Sequence, residues 1–390
     1  MIGLPPGRWT AQWDVVIVGA GPAGAALARR LRPQYRVLLL DRARARAAAA
    51  SRIGESLPGA ARVLLQRQGI YERFLAQGHA RRGASVSQWD SDTPAWFDPI
   101  RDPHGVGWHL DRVLFDAGLR DSAVEAGVAL VDTVRQLALS HEGGRWRIDA
   151  DCLGQGGAPP FRGMHETPVL VDASGRSMAA ARQLGLARRG HDRLVCLYAH
   201  LPVDADDKDQ ATRVCADANG WWYSVRVPSG QRVLACHLDS DDAGLKALRD
   251  PQRLLAKAQR HGLLAAIRPT TLDFPVHLRP AGGGGLDPGA TAALPDGFFA
   301  IGDAMLAFDP IASQGLFNAL ATADSCAHAI GRYLDGVGNA RERYLEEMRA
   351  VEARYCQRLG ETYAAVTRYA RERFWLRRSA GSAGAGGFAV

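Results

Sequence analysis

The chain has 390 residues, 47% apolar and 23% charged, a composition that fits two packed globular domains and excludes a fibrous or wholly disordered chain. Its net charge of +7 comes almost wholly from arginine, because only Lys208, Lys246 and Lys257 are lysines. The arginines are scattered among acids, so no nucleic-acid footprint is expected.

The six cysteines (Cys152, Cys196, Cys215, Cys236, Cys326, Cys356) never approach CxxC spacing. They read as free, mostly buried thiols of a reducing compartment, and a cytoplasmic location is expected. No run of about twenty apolar residues is present, so no integral membrane contact is expected. The apolar stretch after Trp13 begins with an acid, lacks a basic leader and carries glycines, which argues against a signal peptide.

Residues 14–42 read "DVVIVGAGPAGAALARRLRPQYRVLLLDR". The strand Val15 to Val18 runs into Gly19, Gly21 and Gly24, with Pro22 and Ala23 between them. Gly19 permits a tight turn, Gly21 lets backbone amides approach a pyrophosphate, and Gly24 allows close helix–strand packing. A second strand, Val37 to Leu40, ends at Asp41 and Arg42, and Asp41 suits ribose hydroxyls better than a 2′-phosphate. A dinucleotide site is predicted, and the motif with its following Asp-Arg resembles the FAD-binding Rossmann motif rather than a dehydrogenase NAD site.

Further along, "GESLPG" (54–59) is expected to start a helix near Pro58. The segment 84–97 alternates like two strands joined by a turn, and 109–130 reads as an amphipathic helix entering a strand. A hairpin over 137–152 turns at Gly143-Gly144. From Leu194 to Leu278 the pattern is mainly strands, with one helical insert at 250–267. Alternation along Trp221, Trp222 and Tyr223 sends Trp221 and Tyr223 to one face and Trp222 to the other. These rings are candidates for a substrate face, and sheet core is the competing reading. His104, His109, His200, His237 and His277 lack metal-ligand spacing and read as solvated or satisfied, and no metal site is expected.

The late segment 301–320, "IGDAMLAFDPIASQGLFNAL", has a strand ending in Gly302-Asp303, a sharp turn at Asp309-Pro310 and a helix opening near Gly315 and Leu316. Asp303 suits a ribityl chain. Amides at the helix start suit the flavin edge that becomes negative on reduction. An ordinary strand, turn and helix would look the same in isolation.

Together these motifs resemble the glutathione-reductase-type FAD proteins of the p-hydroxybenzoate-hydroxylase class. The likeness includes a middle "DASGR" (172–176), which departs from the commoner Asp-Gly form, and Arg112 at a helix start. The resemblance implies an α/β fold with a Rossmann FAD domain, an inserted mainly antiparallel sheet substrate domain and a C-terminal helical segment. Its expected boundaries are 1–80, 104–190 and 280–345 for FAD binding, 81–103 and 191–279 for the sheet, 346–376 for the helix, and 377–390 for a disordered tail. The FAD ligands it implies are Gly19, Gly21, Pro22, Ala23, Gly24, Asp41, Arg42, Arg112, Val134, Gly302, Asp303, Pro310, Gly315 and Leu316.

"GESLPG", "NGWWYSVRVPSG" (219–230) and "DPIASQGLFNAL" are similar to segments of tryptophan halogenases and their hydroxylating relatives. Among these, the closest in motifs are the flavoprotein monooxygenases that hydroxylate a precursor tryptophan in tryptophylquinone cofactor biogenesis. That likeness implies NAD(P)H or another reductant, oxygen addition to the flavin as a C4a-hydroperoxide, and transfer to an electron-rich ring. A precursor polypeptide is the implied partner. Glu55, Ser56, Gly315 and Leu316 are the candidate catalytic residues; Glu55 reads equally as a helix-start carboxylate. Halogenases of this kind place a lysine shortly before a strand tryptophan, where this chain has Arg81 and Arg82. Halogenation of a small aromatic, a geranylgeranyl-reductase-like flavin reductase and a non-catalytic flavin-bound chaperone are the alternatives.

Overall fold

The computed structural model describes residues 9–42, 52–154, 159–190 and 192–379. The alanine-rich run after Arg42 and residues 380–390 of the expected tail lie outside them.

The first of two large sheets has eight strands. In spatial order they are Trp9–Gln12, Phe161–Thr167, Arg145–Cys152, Ala129–Glu142, Val37–Arg42, Val15–Val18, Val169–Asp172 and Phe298–Ala300. The last five pair in parallel. Val15–Val18 is buried at every position, which is why it reads as an unbroken apolar run rather than an alternating one. The antiparallel hairpin closes at Gly143 and Gly144, both in the left-handed region. The helices Pro22–Leu31 and Gly315–Leu334 pack against each other, so the first and last nucleotide motifs meet although far apart in sequence.

The second sheet has seven strands in the order His277–Pro280, Leu194–Pro202, Gln231–Asp239, Gly220–Arg226, Thr212–Asp217, Ser85–Gln88 and Ala95–Phe97. All its pairings are antiparallel except that between Thr212–Asp217 and Ser85–Gln88. One face buries Trp222, Leu197 and Cys236 against Leu254, Leu255 and Ala258 of the helix Pro251–Ala258. The other face carries Trp221, Tyr223 and Cys196 toward Ile53, Ile311 and Tyr363, Phe374 and Trp375 of the C-terminal region. The fold is thus α/β, with mixed sheets and C-terminal helices.

Four local expectations change. The "GESLPG" segment first makes a short strand, Ser56–Leu57, paired with Trp108–His109, and its helix begins only at Ala61. The reason is close backbone packing: a Cβ at Gly59 would lie 2.1 Å from the Gly105 carbonyl oxygen. The C-terminal helix starts at Ala340 rather than 346 and ends at Ala364, and a further helix runs Arg373–Ser379. Arg377 and Arg378 belong to that last helix and not to a disordered tail, because they ion-pair with Asp239, Asp241 and Asp192. Trp222 is removed from the substrate candidates, since strand alternation turns it into the core, where its Nε1 donates to Asp217 at 3.1 Å. Among the described residues no helix is long and apolar enough to cross a membrane.

Trp222→Ala should lower the unfolding free energy by about 3–5 kcal/mol, as expected for a fully buried indole, in denaturant titrations. A loss below about 1 kcal/mol would show that this face is not a packed core.

Candidate active site

The nucleotide end is built by backbone proximity. Gly19 has φ +111°, and a Cβ there would lie 2.5 Å from the Ala173 carbonyl oxygen. A Cβ at Gly24 would lie 1.8 Å from the Gly19 oxygen, so only glycine lets the helix start this close to the strand end. Gly21 is that helix's N-cap and has no side-chain cap, and a Cβ on it would meet nothing within 4 Å. Open space in front of bare helix amides is the cradle a pyrophosphate needs. Asp41 is buried at the end of its strand, with Arg120 reaching its Oδ2 at 3.3 Å. Arg42 is exposed and its backbone pairs with buried Val134.

The middle of the site is held by charge. Asp303 Oδ2 lies 3.3 Å from Arg176 Nε, and a third of its side chain remains open. Burial raises the Asp303 carboxyl's pKa, and the Arg176, Arg188 and Arg112 guanidiniums oppose that. Gly302 precedes it with φ +55°, and its amide donates to Thr322 Oγ1 at 2.9 Å. Arg112 opens the helix Arg112–Glu125, capped by Asp111, which accepts from Val113 and Leu114 amides at 2.9 and 3.0 Å. Its guanidinium donates to the Ile53 and Gly54 carbonyls at 2.8 and 3.0 Å and to Asp116 at 3.2 Å. Arg112 therefore fixes the backbone that carries Glu55.

The third part is the turn 309–316. Asp309 Oδ1 accepts from the Ile311 amide at 2.9 Å, and Oδ2 accepts from the Tyr363 hydroxyl at 2.8 Å. Burial pushes its carboxyl up to about 6. Ser313 takes a left-handed conformation, φ +49°, directly before the helix Gly315–Leu334. That helix has no side-chain cap, so its first amides are free of intrahelical acceptors. A Cβ added to Gly315 would meet nothing within 4 Å.

These parts surround one cavity of about 410 Å³. Its lining includes Gly21, Pro22 and Ala23 from the first motif, Arg112 and Asp303 from the middle, and Pro310, Gly315 and Leu316 from the turn. Glu55 and Ser56 also line it, as do Cys196, Trp221, Tyr223 and His237 of the seven-stranded sheet. Gly19, Gly24 and Gly302 lie just behind, as structural supports, while Asp41, Arg42 and Val134 sit toward the strand end and off this cavity. The set fits an FAD: an open helix end for phosphates, a carboxylate for the ribityl hydroxyls, and free amides for the ring edge.

Glu55 is 2% exposed, and burial raises its carboxyl to about 7 against the opposing Arg112 charge. The Tyr223 hydroxyl lies beside it, yet neither carboxylate oxygen has a well-formed hydrogen bond. It does not start a helix, so its helix-start reading falls away.

His237, expected to be solvated or satisfied, is neither. It is buried, both ring nitrogens lack a well-formed hydrogen bond, and it stacks on Trp221 with centroids 3.6 Å apart and planes 8° apart. Burial lowers its pKa to about 3, so the ring is neutral. The pairing register places Cys196, His237 and Trp221 side by side across three strands. The missed signal was the alternation Val233, Ala235, His237, which puts a polar ring on an apolar face. Among the described residues no group of side chains could hold a metal ion.

The chain belongs to the family of the FAD-binding domain, whose match spans residues 12–241. It is 26% identical over 380 residues to LodB of Marinomonas mediterranea, named as an FAD-dependent oxidoreductase, covering 95% of this chain and 98% of that one. Among solved structures it is similar to the flavin-dependent halogenase CmlS, with TM-score 0.76 and 21% identity over 94% of this chain and 68% of that one. It is similar too to QhpG, a peptidyl tryptophan dihydroxylase essential for tryptophylquinone cofactor biogenesis, with TM-score 0.72 and 23% identity. That match covers 97% of this chain and 80% of QhpG. The protein is an FAD-dependent enzyme of the oxidoreductase class.

Asp303→Ala should lose bound FAD on purification, measured as flavin released per protein; full retention would show the carboxylate is not a ligand. Glu55 gives a pH signature. Its folded pKa lies above its ordinary value of 4.5, so the stability it contributes is present at low pH and lost as pH rises through about 7. Glu55→Gln should therefore gain stability over wild type as pH rises from 4.5 to about 7, by up to about 1.4 kcal/mol per unit, and the difference should level off above that. A constant difference across that range would contradict the raised pKa.

Proposed function

We propose that the protein hydroxylates an electron-rich aromatic ring, a tryptophan side chain of a precursor polypeptide, using FAD, dioxygen and NAD(P)H or another reductant. The balance is ring C–H plus O2, NAD(P)H and a proton giving ring C–OH, water and NAD(P)+. The observation that carries the reading is the single cavity in which an FAD-type cradle faces a wall of Trp221, Tyr223 and His237. FAD, when bound, would pass the reductant's electrons to dioxygen, which furnishes the oxygen atom delivered to the ring.

This chain's residues do the rest. The amides at Gly21 to Ala23 hold the phosphates, and Asp303 holds the ribityl hydroxyls. Gly315 and Leu316 amides offer positive dipole ends to the ring edge that becomes negative on reduction. Trp221 and Tyr223 bury an aromatic substrate ring and exclude water, which strengthens every polar contact in the cavity. Glu55 keeps its proton up to about pH 7 and can pass it through the adjacent Tyr223 hydroxyl.

Halogenation is the second reading, because the fold of CmlS matches as well as that of QhpG. The cavity's cations tell against it. Arg52, Arg112, Arg176 and Arg279 line the cavity and none of the three lysines does. Guanidinium, with a pKa above about 12, does not supply the neutral amine that hypohalous acid would need.

Incubation of the FAD-loaded protein with NADPH, oxygen and a co-expressed precursor polypeptide should add whole oxygen atoms at tryptophan, read by peptide mass spectrometry. A chlorine or bromine isotope pattern, or substrate reduction without oxygen uptake, would overturn the proposal.

A further inference from the structure

The long helix Ala340–Ala364 lies beyond the segment that matches the FAD-binding family, yet two of its tyrosines contact residues that line the cavity. Tyr363 is 3% exposed and sits between two walls of the site. Its hydroxyl accepts from Trp221 Nε1 at 3.2 Å and donates to Asp309 Oδ2 at 2.8 Å. Trp221 is the indole stacked on His237 in the sheet wall. Asp309 caps the turn that presents Gly315 and Leu316. Tyr355, two turns earlier, accepts the Asp309 amide at 2.7 Å and stacks on Phe308 with centroids 4.3 Å apart.

From this chain of contacts we infer that Tyr363 is a positioning residue that ties the substrate-facing indole of Trp221 to the flavin-facing turn at Asp309. The tie is directional. Tyr363 has one hydroxyl proton, and because its oxygen receives the indole N–H, that proton is committed to Asp309. Displacing Trp221 changes the hydroxyl's pull on the carboxylate, and the carboxylate holds the Ile311 amide of the turn. The sheet wall and the helix end therefore do not shift independently.

Asp309 has a folded pKa raised by burial, and the Tyr355 hydroxyl, which receives its amide, is a titratable neighbour. The Ile311 amide, the Tyr363 hydroxyl and Arg378 favour its charged form, while Asp192 opposes it. Removing the Tyr363 hydroxyl takes away a donor to the charged form, so the carboxyl's pKa must rise further. The charge of Asp309 lies on the cavity lining, where bound flavin reports it spectroscopically.

The inference rests on FAD occupying this cavity and does not depend on which aromatic ring is the substrate. The test is a pH titration of flavin absorbance in purified holoenzyme, for wild type, Tyr363→Phe, Trp221→Phe and Asp309→Asn, all on a Glu55→Gln background so that the cavity's other raised carboxyl, near 7, does not contribute. Wild type should show a transition near pH 6, the pKa of Asp309. Tyr363→Phe should move it up by about one unit, Trp221→Phe should move it in the same direction by less, and Asp309→Asn should abolish it. An unmoved midpoint in Tyr363→Phe, a wild-type spectrum flat over the range, or a transition surviving in Asp309→Asn overturns the inference. Flavin released on denaturation is read separately, so a failed cofactor reading appears as an empty protein and a failed tie as an unmoved midpoint.

Discussion

The site depends on one close backbone approach. The helix Pro22–Leu31 starts so near the end of its strand that a Cβ at Gly24 would overlap the Gly19 oxygen, and Gly19 itself lies against Ala173. That contact brings the first motif, the "DASGR" turn and, through Ala23 beside Gly302, the late motif into one van der Waals cluster. Without it the Gly21 amides would stand away from Asp303, and the free helix end at Gly315 would face no cofactor. Three segments far apart in sequence become one cradle because glycine at two positions removes the only atoms that would separate them.

On that frame the protein holds several ionisable groups out of water. Glu55, Asp309 and His237 line the same cavity, and burial drives each toward its neutral form. Arg112 and Arg176 are held in place by hydrogen bonds to backbone carbonyls and carboxylates. Neutral polar groups interleaved with cations suit a site that must hold an anionic cofactor while keeping the region beside Trp221 dry.

The parallel strands and the glycine motif were legible in the sequence because their constraints are local: an apolar run, a turn and a helix dipole within thirty or so residues. The two faces of Trp221, Trp222 and Tyr223 were legible for the same reason, since strand alternation depends on no distant partner. "GESLPG" misled because its helix propensity lost to pairing with Trp108–His109, a contact some fifty residues away. His237 and Tyr363 were invisible in the sequence because only sheet register brings His237 to the cavity and only helix docking brings Tyr363 against Trp221 and Asp309 behind it. Nothing in the local pattern of "RLGETYAAV" says that its tyrosine meets Asp309.

Under the proposed function, one cavity holds both the flavin ring and the substrate-facing aromatic wall. A crystal structure of the FAD-loaded protein tests this most directly. The isoalloxazine should lie with its pyrimidine edge at the Gly315 and Leu316 amides and its reactive face toward Trp221 and Tyr223. A ring bound away from that turn, or walled off from Trp221 and Tyr223, would contradict the claim.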